Sequence, residues 1–210
     1  MIKFLIFLSL FSLISCGASG ELGGTSDGLP NADFRVFITS SSFAGNMANG
    51  SLTGISGADK WCTDLAQSAG LTREYKAILS SVTDGVSAID NLFITSGVYT
   101  LDSNGAVTKI VDSESLLFDA DSTQLLSSIS RDESGTFVVG GIPVWTGSTS
   151  NGTVNTSSCD MWDNNLSGAS GILGITGVID GKWLDNLGSS QTCNNTARIY
   201  CISQRLVAPN

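Results

Sequence analysis

Apolar and polar positions follow a few short, distinct patterns along this chain. Phe34-Arg35-Val36-Phe37-Ile38-Thr39 alternates, and alternation predicts a half-buried strand. Residues 40–51 are mostly polar and predict a loop. Ala58, Trp61, Cys62, Leu65, Ala66 and Ala69 then recur at helical spacing and form one apolar face. Ser56 is a candidate cap for that helix, Asp59 completes an approximate capping box, and Gly70 is a stop signal. Cys62 lies on the buried face. Trp61 on the helix and Trp145 on a later strand are expected in the core.

Weaker patterns follow. Residues 75–79 predict a short buried strand, and Thr83 or Asp84 caps a second short helix running to Ile89. Segments 98–101 and 106–111 flank Asp102-Ser103-Asn104-Gly105, and Asn-Gly predicts a hairpin. Residues 137–139 and 143–145 predict strands, and 198–203 predicts a final apolar strand containing Cys201. Between them, 147–181 is mostly Gly, Ser, Thr and Asn, too irregular for a regular sheet. Gly171, Gly174 and Gly177 are read there as turn and bulge positions rather than a phosphate cradle. Trp162 and Trp183 sit beside acids in this region. They read as loop anchors first, and with Asp163 and Asp185 they are the candidate ligand-binding residues.

The N-terminus changes the picture. Lys3 precedes an apolar run of about ten residues, too short to span a bilayer and suited to a signal peptide. The run ends Leu13-Ile14-Ser15-Cys16, which matches a bacterial lipobox: the signal peptidase cuts before a lipid-modified Cys16 and needs a small residue beside the cut. Expected organisation is therefore a signal peptide over 1–15, a lipidated flexible tether over 16–33 and one domain over 34–206. The lipid is then the expected membrane anchor. The other four cysteines are Cys62, Cys159, Cys193 and Cys201. In an exported domain they predict two disulfides, with three possible pairings. Proximity favours the nested option, Cys62–Cys201 and Cys159–Cys193.

Composition bounds the function. The precursor has 10 basic and 19 acidic residues, a net charge of −9, which makes nucleic acid and anionic lipid surfaces poor partners. Residues 112–133 are rich in acids with Arg131 as the lone base, and read as a solvated acidic segment. The chain has no histidine, which removes Ser-His-Asp and Cys-His catalysis and the commonest zinc sites. An enzyme would need a carboxylate pair, and no local arrangement singles one out.

Several blocks resemble one family. A first helix carrying the first cysteine, nested cysteines and a long irregular region before the last strand are marks of C-type lectin-like domains. Leu52-Thr53-Gly54-Ile55-Ser56-Gly57-Ala58-Asp59-Lys60-Trp61-Cys62 resembles the first helix of endostatin domains. Tyr75-Lys76-Ala77-Ile78-Leu79-Ser80-Ser81, Val144-Trp145-Thr146-Gly147-Ser148, Cys159-Asp160-Met161-Trp162 and Arg198-Ile199-Tyr200-Cys201-Ile202 resemble later endostatin blocks in order. With the lipobox, the chain is similar to leptospiral endostatin-like lipoproteins. The resemblance implies an α+β, C-type lectin-like domain: a mixed, mostly antiparallel sheet, two helices, long irregular loops and two nested disulfides. It implies an outer-membrane, cell-surface lipoprotein binding host extracellular-matrix proteins, complement regulators or plasminogen, as an adhesin or in immune evasion.

The departures narrow this. The histidines of endostatin's zinc site are missing, so neither a metal nor another cofactor is expected. Ser56 and Asp163 stand where endostatin carries heparin-binding arginines, so heparin is not expected by that route. Ile142-Pro143 lacks the acid or amide of a sugar-binding loop, and Trp183-Leu184-Asp185-Asn186 only loosely echoes the lectin strand motif. Asp160, Asp163, Asp180 and Asp185 offer oxygen ligands for calcium but read first as surface turns. The C-terminal Pro209-Asn210 lacks the lysine that plasminogen commonly recognises. Expected binding loops are 40–50 and 147–181. The alternatives are a glycan-binding module and a structural envelope lipoprotein without a host ligand.

Overall fold

A computed structural model describes residues 29, 33–92, 94–119 and 125–204. The expected signal peptide, Cys16 and nearly all of the tether lie outside the described residues. Leu29, inside the expected tether, is only 2% exposed, so the chain is packed at that point.

The strands are β1 Phe34–Ile38, β2 Phe43–Ala44, β3 Tyr75–Ala77, β4 Val98–Leu101, β5 Val107–Val111, β6 Pro143–Trp145, β7 Ser170–Ile175, β8 Ser190–Thr192 and β9 Thr196–Ser203. The helices are α1 Gly54–Ser68 and two single turns, α2 Ala88–Asn91 and α3 Glu114–Leu117, with a 3-10 turn at Gly181–Trp183 and a further single turn of non-helical backbone at Cys159–Trp162. The strands form one mixed sheet in the order β5-β4-β1-β9-β6-β7-β8, with β2 and β3 also paired to β9. β1 runs parallel to β4, and β6 runs parallel to β9. The other pairings are antiparallel. The protein is thus α+β, built mostly on a single sheet, with two disulfides. Among the described residues no helix is long and apolar enough to cross a membrane.

β9 is the hub, because it pairs with β1, β2, β3 and β6. Its side chains alternate between two apolar cores on opposite faces. Tyr200 and Ile202 join one with Val36, Ile38 and Trp183. Ile199 and Cys201 join the other with Phe37, Trp145 and Trp162. β1 is consequently buried along its whole length, not half-buried as its alternation predicts. Even Arg35 is covered, its Nη2 donating to the Glu133 carbonyl at 2.9 Å.

α1 buries Ala58, Cys62 and Ala66, and Leu65 and Ala69 pack at its edge. It starts two residues before the predicted cap, with Thr53 at the N-cap and no side-chain cap bond. Asp59 does not close a capping box. Its Oδ1 instead accepts the Ala77 N–H of β3 at 2.8 Å. The predicted stop is in place: Gly70 adopts φ +81°, its N–H bonds Gln67 and that of Leu71 bonds Ala66, a Schellman closure that favours glycine. Trp61 is half-buried rather than in the core. It stacks on Phe43 with ring centroids 4.9 Å apart and donates Nε1–H to the Ala48 carbonyl at 2.9 Å.

The β4–β5 hairpin forms where Asn-Gly predicts it, with Asp102 Oδ1 accepting the N–H groups of Asn104 and Ala106. Three expectations fail. The second helix begins after Ser87, because the Thr83-Asp84-Gly85 segment is the turn of a small bridge between Ser81 and Val86. Residues 137–139 make one isolated bridge, Arg131 with Phe137, and Phe137 and Val139 stay exposed. The region 147–181 contains a regular strand, β7, paired to β6 and β8. Gly171 and Gly174 belong to that strand and are neither turn nor bulge, and Gly177 lies in the turn after it. A Cβ on Gly171 would stand 2.9 Å from the Trp145 ring, so glycine here lets a tryptophan approach the sheet. The loop 40–51 also departs from a plain polar loop, since it contains β2 and the fully buried Met47.

Candidate functional site

Both predicted disulfides are present, Cys62–Cys201 and Cys159–Cys193. The first ties α1 to β9. The second sits under an unusual turn. Cys159, Asp160, Met161 and Trp162 all have positive φ, at 48°, 50°, 66° and 63°. Each such L-residue costs about 1–2 kcal/mol, so a run of four needs strong external constraint. The Cys159–Cys193 bridge, the buried Trp162 ring, a 2.7 Å bond from Trp162 N–H to the Ser158 carbonyl and a 3.0 Å bond from Asn164 N–H to the Cys159 carbonyl supply it.

This turn is where the two expected binding loops meet. Gly45 lies directly against the Cys159 sulfur and its N–H donates to the Cys193 carbonyl at 2.8 Å. Gly54, at the start of α1, abuts the Met161 carbonyl and the Asp163 carboxylate. The outer surface of the joint carries Asp160, Asp163, Asn165, Asn194 and Asn195, all exposed, and Leu166 at 65% exposure. Beside it opens a recess of about 180 Å³. Thr83, Thr156, Ser157, Ser158, Asp160 and Ser170 are among the residues that line it.

Of the four candidate ligand contacts, Asp163 stands on this joint and is exposed. Asp185 is half-buried, with Oδ1 accepting the Gly188 N–H at 2.7 Å. Trp162 and Trp183 are core residues, at 0% and 1% exposure. Trp162 meets Trp145 edge-on at 5.7 Å and donates Nε1–H to the Ser80 carbonyl at 2.9 Å. Trp183 meets Tyr200 edge-on at 5.4 Å. Neither ring can touch a ligand, because the loops fold back over both faces of the sheet and draw their aromatic residues inside. The calcium candidates do not converge either. Asp160 accepts from Asn164 at 2.6 Å and Asp180 pairs with Lys182 at 3.2 Å. Among the described residues no group of three acids or cysteines is placed to hold a metal ion.

The sequence reading missed a second site. α1 and β3 enclose an open cleft of about 410 Å³. Asp59, Thr63 and Gln67 line one wall, and Glu74 and Lys76 line the other. Asp59, Thr63 and Gln67 are spaced by four, a polar stripe beside the apolar face, and that stripe is the signal available in the sequence. Thr63 joins the walls, donating its hydroxyl to the Tyr75 carbonyl at 3.0 Å and accepting the Tyr75 N–H at 3.2 Å. Lys60 and Asp64 form an i, i+4 ion pair at 2.8 Å, which holds the Asp64 carboxyl below its usual range together with a bond from Asn49. Asp59 behaves oppositely: burial pushes its pKa up to about 6, against the lowering effects of the Ala77 N–H and Lys76.

A raised carboxyl pKa means that ionised Asp59 opposes folding. Its contribution is most favourable below the unfolded-state value near 3.8 and is lost as pH rises through about 6. Asp59→Asn keeps an oxygen for the Ala77 N–H and removes the charge. It is expected to stabilise the protein by about 2 kcal/mol near pH 8, allowing for screening by water at the cleft mouth, with the gain fading toward pH 4. Urea unfolding midpoints of both proteins across that pH range measure it. A gain that does not fall as pH falls would contradict the assignment.

No curated protein matches the chain. The profile of the family described as "Protein of unknown function (DUF1554)" matches residues 45–179. That span takes in α1, β3 to β7 and the left-handed turn, and includes Cys62 and Cys159 but not their partners on β9 and before it. More than half of the 210 residues match, and the chain belongs to the DUF1554 family.

Proposed function

We propose that this protein is a lipoprotein of the outer membrane, anchored through Cys16, whose endostatin-like, C-type lectin-like domain binds host extracellular-matrix proteins, complement regulators or plasminogen without catalysing a reaction. One observation carries the reading. The loops 40–50 and 147–181 meet at a strained turn that a disulfide holds rigid, and they present acids and amides to solvent there. Preorganised loops on a braced scaffold suit noncovalent recognition, since little entropy remains to be lost on binding. The lipobox and the absence of histidine support export, anchoring and a non-catalytic role.

The test is a screen of the oxidised full chain against immobilised laminin, fibronectin, plasminogen and complement factor H over a salt series. Saturable binding to one of them, lost when neutral sequence replaces both loops and when the disulfides are reduced, is the expected result. Silence on all four, or binding that survives the loop replacement, overturns the reading. The recess beside Asp160, lined mostly by serine and threonine residues, favours one alternative, a glycan-binding module. A glycan array with and without calcium distinguishes it. Full protection of the domain from protease in intact cells would instead indicate an envelope role facing the periplasm.

A further inference from the structure

The two disulfides sit in opposite settings. Cys62–Cys201 joins the middle of α1 to the hub strand β9, and neither cysteine has a positive φ. The neighbours of Cys201 along the strand, Tyr200 and Ile202, are buried. Cys159–Cys193 joins the left-handed turn to the residue that follows β8, the last strand at one edge of the sheet. Asp160 beside Cys159, and Thr192 and Asn194 beside Cys193, are exposed. All four cysteines are fully buried, so a reductant reaches either bridge only when the chain around it opens. Around Cys62–Cys201 that means parting α1 from the hub strand. Around Cys159–Cys193 it means undoing one turn. Ser158, Asp160, Ala169 and Ser170 also line the recess of about 180 Å³, which brings solvent to that turn.

Two further observations separate the bridges. Cys159, Asp160, Met161 and Trp162 are held at positive φ without a glycine among them. Reduction lets this backbone relax, and the strain released favours the dithiol state. Regular helix and strand around Cys62 and Cys201 hold no such reserve. The second observation is room. Two thiols need more space than one bridge, because bonded sulfurs become non-bonded neighbours. Gly45 lies against the Cys159 sulfur, and a Cβ on Gly171 would stand 3.0 Å from the same atom. Separated thiols must therefore push the turn or the loop 40–50 outward. The bond from Gly45 N–H to the Cys193 carbonyl couples the two movements.

We propose that Cys159–Cys193 is a redox latch on the loop joint: a dithiol reductant opens it while Cys62–Cys201 stays closed, the left-handed turn relaxes, and the loops 40–50 and 147–181 separate in a domain that remains folded. The chemistry is thiol–disulfide exchange. A thiolate of the reductant bonds to the Cys193 sulfur, the S–S bond breaks, and Cys159 leaves as thiolate. Cys193 is the sulfur attacked, because Gly45 and Gly171 crowd that of Cys159. The reductant's second thiolate then displaces Cys193. The reductant ends as a disulfide, and its two protons end on Cys159 and Cys193. As a control on binding, the latch rests on the joint being the binding surface. Its lability is measured without a ligand, so the two readings can fail separately.

The experiment is a redox titration of the ¹⁵N-labelled, oxidised full chain. Free thiols, Cys16 included, are first capped with iodoacetamide. The protein is then equilibrated with mixtures of reduced and oxidised dithiothreitol and quenched with N-ethylmaleimide, and peptide mapping reports each cysteine. Cys159 and Cys193 are expected to open at a ratio of reduced to oxidised reagent at least about tenfold lower than Cys62 and Cys201, a difference of about 30 mV. Amide spectra of the half-reduced protein are expected to move at residues 43–47, 157–172 and 192–195, with α1 and β9 unchanged. Met161→Gly tests the strain directly, since glycine adopts the φ of 66° without cost. It is expected to make this bridge about threefold harder to reduce, after allowing for the greater freedom of glycine in the relaxed turn. Opening of both bridges together, opening of Cys62–Cys201 first, global unfolding of the half-reduced protein, or a Met161→Gly bridge that reduces as readily as the parent's would each overturn the proposal. The Cys159→Ala, Cys193→Ala double variant separates the latch from damage by the reagent: it is expected to stay folded and to show the amide spectrum of the half-reduced protein, and the parent's spectrum would overturn the proposal.

Discussion

Replacing Cys62 and Cys201 together by alanine is expected to lower stability by about 5 kcal/mol, a large part of what a domain this size possesses. The two cysteines are 139 residues apart, so the bridge removes a long closed loop from the unfolded ensemble. Cys159 and Cys193 are 34 apart, and the same reasoning gives about 4 kcal/mol for their removal. Context widens that difference. Cys62 and Cys201 fix α1 to the hub strand, and both are fully buried, so their loss also leaves the centre of one core underfilled. Loss of the Cys159 bridge instead frees a left-handed turn, and relaxation of that turn returns part of what the bridge contributed. Guanidinium unfolding of the two double variants, against the oxidised parent, separates the effects. The Cys62/Cys201 variant should show the larger loss of stability and a steeper dependence on denaturant, because its unfolded chain expands more. A loss under about 1 kcal/mol would mean that core packing, not the bridge, holds α1.

The disulfides were legible because four cysteines allow only three pairings and proximity selects among them. The hairpin was legible for a similar reason. Gly105 supplies the positive φ its turn needs, and Asp102 closes the loop on neighbouring N–H groups, so everything that specifies it lies within five residues. The body and stop of α1 were equally local. Its start was not, because Ser56 is only one of several small polar residues there, and Asp59 is taken by β3.

The site was harder to read. Trp162 and Trp183 stand among acids, glycines and asparagines, and their neighbours suggest loop surface. What buries them comes from distant parts of the chain: the Ser80 carbonyl and Trp145 for the first, Tyr200 and Phe118 for the second. The left-handed turn has no local signal at all. Cys159-Asp160-Met161-Trp162 contains no glycine, and its conformation is imposed by a bridge to residue 193 and a ring in the core. Asp59 shows the same limit from the other side. As an acid three residues after Ser56 it suggests a capping box, and only the packing of β3 against α1 reveals a carboxyl in a cleft.

Gly174→Ala is expected to cost about 3 kcal/mol or more, the second large effect, although the change adds one methyl group in a region that reads as irregular loop. Gly174 lies inside β7, opposite Val144 of β6. A Cβ there would overlap the carbonyl group of Trp183, with its carbon 2.6 Å away, and would meet the Leu184 Cα at 3.2 Å. The obstacle is backbone, and it cannot retreat easily. Leu184's carbonyl accepts the Thr146 hydroxyl at 2.5 Å, and the next turn donates Asn186 N–H to the Leu173 carbonyl at 2.9 Å. Relief requires moving either a sheet strand or the turn that seats Trp183 against Tyr200. Gly168→Ala is the matched control, since a Cβ there meets nothing within 4 Å, and it should be nearly neutral. Urea midpoints and tryptophan fluorescence of the two variants test this directly. Equal midpoints would show that the Trp183 turn yields without cost. A destabilised Gly174→Ala protein with a red-shifted emission would show that close approach of this turn to β7 locks the tryptophan core.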